Sequence, residues 1–335
     1  MGYGIDPAAV PHRALRDGTE IPAIGLGTFG SDHYMPRQVA DAVCGAVRAG
    51  YRLIDCASVY QNEALIGECF HHLFQTDAVP RGTLFVISKV WNNQHRQVRA
   101  ACEKSLRDLG LDYLDLYVIH WPFPNYHEPG CSGNARSADA RPFSTEEFMD
   151  TWRQCEELVR AGLVRHIGMS NMTVAKLDAV LPLCDIQPAA LEMEMHPAFQ
   201  QPELFKYIKR HAILPIAFCP LGSPSRPERD RADGDIPDMR LPAVVRIADA
   251  HGIHPALVCL KWAVQHGQIP IAFSVKEPQY IGNLKCVTEN PLTPEEMEEI
   301  RRADKNCRLI KGQVFLWKGA KGWEDLWDPG GHITR

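Results

Sequence analysis

The sequence predicts an α/β protein built as a (β/α)₈ barrel, on three observations. From Ile24 onward short apolar runs alternate with helical periods through eight units. The runs are apolar throughout rather than alternating, as strands covered on both faces are. Three consecutive runs close on proton-handling residues: Leu53-Ile54-Asp55, Phe85-Val86-Ile87-Ser88-Lys89 and Leu116-Tyr117-Val118-Ile119-His120, with Tyr60 on the loop after Asp55. In such a barrel the C-terminal rim of the strands carries the chemistry.

Taken in order, Ala14 to Gly25 reads as a hairpin with an Asp17-Gly18 turn, placed to cap the closed bottom of the barrel. Strands are expected at Ile24–Thr28, Arg52–Cys56, Leu84–Lys89, Leu114–His120, His166–Ser170, Ala189–Met193, Leu214–Phe218 and Ile269–Ser274. Helical periods fall at Arg37–Ala49, Glu63–Phe74, Arg96–Leu109, Thr145–Arg160, Val174–Leu181, Pro202–His211, Pro255–Gln265 and Pro278–Cys286, with an extra helix at Leu241–Ala250. One barrel domain over residues 1–335 is expected, with loop inserts at 122–142 and 223–240 and a substrate loop at 308–335. Both inserts follow strand C-terminal ends and are rich in Pro, Gly and charge, so they line a site or are disordered. The tail carries a capped helix from Thr293 to about Cys307, then Trp317, Trp323 and Trp327. Those rings fold over the barrel mouth or pack on its outside; the sequence leaves both open.

Bulk properties narrow the function. A net charge of −5 with no basic block argues against a nucleic-acid partner. No run of about 18 apolar residues spans a membrane, and Met1 to Arg16 lack a signal-peptide pattern. The 11 cysteines are odd in number, lie mostly inside apolar runs (Cys44, Cys69, Cys102, Cys259) and form no CxxC pair. Neither a metal site nor a disulfide framework is expected, and the reading is a reduced, cytoplasmic enzyme.

Gly25-Leu26-Gly27-Thr28-Phe29-Gly30 matches the dinucleotide fingerprint G-x-G-x-x-G, with Asp55 ending the next strand. The match fails in two places. Ser31 to Pro36 separate the last glycine from the helix start, and Asp55 lies farther on than the roughly 20 positions of that motif. The eight-unit count and the Lys89 and His120 strand ends favour the barrel.

Several separated motifs together resemble the aldo-keto reductase superfamily over nearly the whole chain. Asp55-x₄-Tyr60, Lys89 and His120-Trp121-Pro122 match its catalytic tetrad in order and spacing. Gly168-Met169-Ser170-Asn171 resembles its nicotinamide-contacting strand end, Pro220-Leu221-Gly222-Ser223-Pro224 its cofactor-loop start, and Ser274-Val275 with Asn283 its adenosine-phosphate segment. The resemblance implies extended NAD(P)(H) across the rim, contacted by Gly27, Thr28, Phe29, Asp55, Ser170, Asn171, Glu192, Phe218, Cys219, Pro220, Leu221, Ser223, Phe273, Ser274, Val275, Lys276, Gln279 and Asn283. It places the substrate, a small carbonyl compound or its alcohol, against Phe29, Tyr60, His120 and Trp121.

The chemistry is coherent on its own terms. Carbonyl reduction needs a hydride and a proton for the developing alkoxide. Tyr60 is the expected donor, with Lys89 lowering its pKa and Asp55 holding Lys89. His120 would hydrogen-bond the carbonyl oxygen. The rivals are a non-catalytic cofactor-sensing barrel that binds a partner protein, and an aldolase using Lys89 as a Schiff base.

Four departures from the family's pattern bear on the cofactor. Phe218 stands where a tyrosine usually stacks on the nicotinamide. Glu192 stands for the glutamine that many members use on the carboxamide. Phe273 and Gln279 stand where NADPH-preferring relatives carry a lysine and an arginine for the 2′-phosphate, leaving Lys276 as a partial substitute. Ser225 stands for a loop aspartate that in some relatives pairs with that lysine. Together they tilt the expectation toward NAD(H) or dual specificity. The polar residues His127, Glu128, Asn134 and Arg136 suit a sugar or hydroxylated ketone, and the tryptophans and phenylalanines an aromatic or steroid carbonyl. Oligomeric state, monomer or homodimer, stays open.

Overall fold

Strand pairing closes the sheet on itself. The computed structural model describes residues 4–30, 33–76, 79–128, 131, 135–223 and 226–335. A two-stranded antiparallel hairpin, β1 (His12–Ala14) and β2 (Glu20–Pro22), comes first. The chain then runs β3 (Gly25–Gly27), α1 (Pro36–Ala49), β4 (Leu53–Asp55), α2 (Glu63–Thr76), β5 (Phe85–Val90), α3 (Val98–Leu109), β6 (Leu114–Ile119), α4 (Thr145–Arg160), β7 (Val164–Ser170), α5 (Val174–Val180), β8 (Ala190–Glu194), α6 (Pro202–Arg210), β9 (Leu214–Phe218), α7 (Pro242–His251), α8 (Pro255–His266), β10 (Ile269–Ala272), α9 (Glu277–Cys286) and α10 (Pro294–Arg301). Strands β3 to β10 form a closed parallel barrel in sequence order, with β10 returning to β3. The predicted (β/α)₈ class is observed.

The barrel interior is filled by Leu53, Phe85, Ile87, Leu116, Val118, Ala190, Leu214, Ile216, Ile269 and Ile271, and it is stoppered below by Leu15 and Ile21 of the hairpin. Ile21 is completely buried. A Cβ on Gly25 would meet Ile271 Cδ1 at 2.6 Å and Leu53 Cγ at 2.8 Å. The first glycine of the G-x-G stretch therefore makes room for barrel packing, and the helix that follows begins only at Pro36. A larger apolar layer between strands and helices forms the outer core.

Helix limits follow local chemistry. Pro36 opens α1 and Gly50 ends it in the left-handed region at φ 118°. Ser144 caps α4 by accepting the Glu147 N–H, and Thr293 with Glu296 form a capping box on α10. The latter helix stops at Arg301, short of the predicted Cys307. Beyond it the Lys305 and Cys307 amides donate to Ala198 O, drawing the chain to the loop after β8.

One expectation about cysteine is corrected. Cys44 on α1 and Cys69 on α2 are joined as a disulfide, with Cα atoms 5.6 Å apart. The helices are neighbours, so residues distant in sequence and without CxxC spacing meet across their packing face. No single helix among the described residues is long and apolar enough to cross a membrane.

Truncating the stopper, Ile21→Ala, is expected to cost about 2–5 kcal/mol by leaving a cavity at the barrel floor. Denaturant unfolding, with the midpoint lowered and the slope unchanged, would show it.

Candidate active site

Asp55 and Lys89 lie in the last residues of β4 and β5, His120 just past β6, and Tyr60 in the short helical turn after β4. Asp55 ends β4 and registers with Ile87 of β5, which puts Lys89 beside it; Ser170 ends β7 and registers with Glu192 of β8. Lys89 is 1% exposed, Asp55 5% and Glu192 2%. The Lys89 ammonium donates to Asp55 Oδ1 and to Cys56 O (3.0 Å), and Glu192 Oε2 stands 3.5 Å away. Lys89 Nζ also lies 5.5 Å from the centroid of the Tyr60 ring. Tyr60 meets Phe29 (5.1 Å between centroids) and His120 (5.8 Å). The four proton-handling residues named from sequence are thus brought together at one point of the rim.

Their ionisation is set by burial in competition with charge. The two carboxylates and Tyr60 hold Lys89 well above its ordinary value against the pull of burial, so it stays charged. Burial pushes His120 well below its ordinary value, helped by Lys89 and His95, which leaves a neutral imidazole. Tyr60 differs from expectation. Burial is the largest influence and raises its pKa, Asp55, Glu192 and Cys219 add to it, and the lowering by Lys89 does not overcome them. Tyr60 is therefore a firmly protonated phenol rather than one tuned toward neutrality.

Three buried polar atoms at this rim lack a partner: His120 Nδ1, Asn171 Oδ1 and Glu192 Oε1. Asn171 Nδ2 donates to His120 O (2.9 Å) and to Ser170 Oγ (3.1 Å), fixing the amide. Asn171, Cys219 and Ser223 all adopt positive φ (57°, 53° and 36°), a cost typical of constrained functional loops. Orphaned buried groups carry a penalty until a ligand meets them, so the rim suits a molecule bearing both donors and acceptors, as a carboxamide does. Gly27, Thr28 and Phe29 close the rim on the β3 side, where Thr28 Oγ1 donates to Asp55 O (2.8 Å). Phe218 ends β9 and Cys219, Pro220, Leu221 and Ser223 follow it, and Phe273, Ser274, Val275 and Lys276 follow β10. Ser274 Oγ donates to Gln279 Oε1 (2.7 Å) and accepts from the Lys276 amide (3.0 Å), while Asn283 is buried on α9. Ser225, Asn134 and the Pro224 of the loop motif lie outside the described residues.

The mouth is aromatic. Trp121 packs on Phe315 (4.6 Å), Phe123 and Trp327, so of the two destinations open to the tail it takes the mouth. Trp91, not singled out from sequence, stands edge-on to His120 at 5.0 Å and touches Phe315 and His127. Its position two residues past Lys89, beyond a strand end, was the available signal. Asn125 of the first insert donates to Phe315 O (2.8 Å) and to Arg141 O.

Polar anchors bind tail and second insert to the barrel, and the sequence reading passed over them. Fully buried His196 joins Asp238 (2.8 Å) to Glu194 (3.0 Å), and Glu194 in turn accepts the Leu309 and Ile310 amides. Gly222, at φ 68°, leaves room for Asp238: a Cβ would sit 2.3 Å from its Oδ2. Asp235 pairs with Arg226 and Lys311, and buried Lys176 pairs with Asp328. The described part of the second insert is therefore a built wall rather than a disordered segment.

A closed barrel with this cluster of buried titratable residues at its rim narrows the class, and comparison with known proteins identifies it. Residues 23–305 match the model of the aldo/keto reductase family. The chain is 38% identical over 317 residues to an aldo/keto reductase of Synechocystis, covering 94% of this chain and 95% of the relative. It is also 38% identical over 300 residues to human aldo-keto reductase family 1 member A1, covering 88% and 90%. Among solved structures, the Bombyx mori aldo-keto reductase in complex with NADP superposes with a TM-score of 0.79 at 29% identity, covering 92% of this chain and 96% of that one. The aldose reductase of Schistosoma japonicum does so with 0.79 at 34% identity, covering 93% and 98%. The chain belongs to the aldo/keto reductase family, which oxidises and reduces carbonyl groups with a nicotinamide cofactor.

The His196 cluster carries a pH signature. Burial lowers its pKa, but Asp238 and Glu194 outweigh that and hold it at about 9. Such a raised group contributes stability in full below its unfolded value near 6.5 and loses it as pH rises through 9. Thermal unfolding should therefore show a loss of up to about 3 kcal/mol between pH 6.5 and 9.5. His196→Gln should be less stable at pH 6.5 and flatter across that range.

Proposed function

We propose that this chain reversibly reduces an aldehyde or ketone to an alcohol with NAD(P)(H), Tyr60 serving as the acid and base. The observation that carries the reading is the buried Lys89–Asp55 pair with Tyr60 and neutral His120 grouped around it at the rim. When bound, the nicotinamide cofactor supplies the hydride. Ser170, Asn171 and Glu192 would hold its carboxamide, supported by the unpartnered Asn171 Oδ1 and Glu192 Oε1, and Phe218 would offer a ring face. Residues Cys219 to Ser223 and Ser274 to Asn283 would hold the phosphate and adenosine end.

In reduction Tyr60 donates its proton to the oxygen on which charge develops. Its raised pKa keeps that proton in place at neutral pH, and the Lys89 ammonium stabilises the phenolate left behind. Asp55 keeps the ammonium from withdrawing into the barrel. His120, neutral and held by the rim, offers a hydrogen bond to the carbonyl oxygen. Trp91, Trp121 and Phe315 exclude water from this proton transfer. A Schiff-base role for Lys89 is disfavoured, because a nucleophilic amine must be neutral and the buried Asp55 carboxylate keeps this one charged.

We further propose that cofactor choice is tilted toward NAD(H) or is dual. Phe273 and Gln279 supply no charge for a 2′-phosphate, and Ser274 is already engaged by Gln279. Exposed Lys276 is the one cation in the 273–279 segment.

Two measurements test these readings. Tyr60→Phe should retain cofactor affinity by fluorescence titration while aldehyde turnover falls about 10²–10⁴-fold; normal turnover would sink the assignment. Titration with NADH and NADPH should show a preference for the phosphorylated form below about a hundredfold, roughly 2.7 kcal/mol; a larger preference would make Lys276 a phosphate ligand.

A further inference from the structure

The rim holds two buried carboxylates and one ammonium. Asp55 on β4 and Glu192 on β8 both face Lys89 on β5. Tyr60 after β4 and His120 after β6 complete the titratable surroundings, with Cys219 after β9; His120 is neutral, Tyr60 is a phenol, and burial holds the Cys219 thiol protonated. Among the described residues Lys89 is the only cation paired with either carboxylate. One ammonium cannot neutralise two desolvated carboxylates, so the pair retains a proton. Asp55 makes the close contact with Lys89, and Glu192 stands farther off with Oε1 unpartnered. The proton is therefore assigned to Glu192, the carboxyl farther from the ammonium. Burial and Asp55 push the Glu192 carboxyl up to about 8, against the opposing pull of Lys89.

We propose that Glu192 makes the relative affinity of the site for the oxidised and reduced cofactor depend on pH. The inference rests on the proposed nicotinamide site. The oxidised ring is cationic and the reduced ring is neutral. Protonated Glu192 treats the two alike, as an amide there would. Ionised Glu192 adds a buried negative charge at the carboxamide site and favours the cationic ring alone. No bond to the cofactor is made or broken; the Glu192 O–H ionises and its proton passes to solvent as the oxidised form binds.

The test is calorimetric titration of NAD+ and NADH into the wild-type protein and Glu192→Gln, from pH 6.5 to 9. In the wild type, affinity for NAD+ relative to NADH should rise about tenfold over this range, equivalent to one pKa unit of coupling. In Glu192→Gln the ratio should stay within about twofold, since an amide does not titrate. Repeating the wild-type titration near pH 8 in buffers of different ionisation enthalpy should show proton release with NAD+ and none with NADH. That arm needs no variant and holds even if Glu192→Gln misfolds. A pH-independent ratio in the wild type, the same slope in the variant, or equal proton release with both forms would overturn the inference while leaving the cofactor reading intact. Binding of neither form at any pH would overturn the cofactor reading instead.

Discussion

A lysine ammonium buried at the end of a barrel strand is a liability until something answers its charge, and this fold answers it with Asp55 from the adjacent strand. Desolvating a cation costs several kcal/mol, recovered only when a carboxylate and further acceptors meet it in good geometry. The answer is geometric before it is electrostatic. Parallel pairing of β4 with β5 sets Asp55 against Ile87, so Lys89 emerges one pleat farther on and reaches both Asp55 Oδ1 and Cys56 O. Closure of the barrel then carries Glu192 round to the same ammonium from β8. Neither contact involves a long loop. The most charge-dense part of the site is built from strand ends and can be held to a tight tolerance, while the loops above are left to vary.

What stands above is fastened by the same rule. Lys176 and His196 are buried, and each pairs with a carboxylate of the tail or insert: Asp328 for the first, Asp238 for the second. Glu194 spends its two oxygens on His196 and on two tail amides, so one strand-end carboxylate joins β8, the second insert and the start of the tail. Apolar burial alone would allow Phe315 and Trp327 to slide over Trp121. The polar anchors fix where they stop.

The parts of this arrangement that were legible in sequence are those governed by local period. Eight apolar runs and their helices appeared within a few residues of the observed limits, because burial on both faces leaves an unbroken apolar run. The rim residues were legible because strand ends mark the rim. Contacts across great sequence distance were not. Nothing in the chain announces that Asn125 will hold Phe315 O, that Ala198 O will end the run after α10, or that Cys44 and Cys69 will meet between helices. Tyr60 is a different kind of miss. A nearby ammonium predicts a lowered pKa, but the sequence does not show how dry the site is, and burial outweighs Lys89 and decides the direction.

The departures from the family's pattern become a single electrostatic change when placed on the fold. On the proposed cofactor site, Glu192 would place an ionisable acid where the family's pattern has an amide, and Phe273 and Gln279 would leave the phosphate end without the cations of that pattern. Each makes the cofactor groove less positive. At the Gln279 end the lost charge is replaced by an internal bond, Ser274 Oγ to Gln279, so the segment stays ordered without an anion to organise it. At the Glu192 end the added acid is tolerated because burial against Asp55 keeps it protonated near neutrality, where it is a stand-in for the amide in both shape and charge. The two changes differ in when they act. On the proposed site the missing cations would lower attraction for a phosphate at every pH, whereas the acid would be silent until it loses its proton and would then set a negative charge beside the nicotinamide.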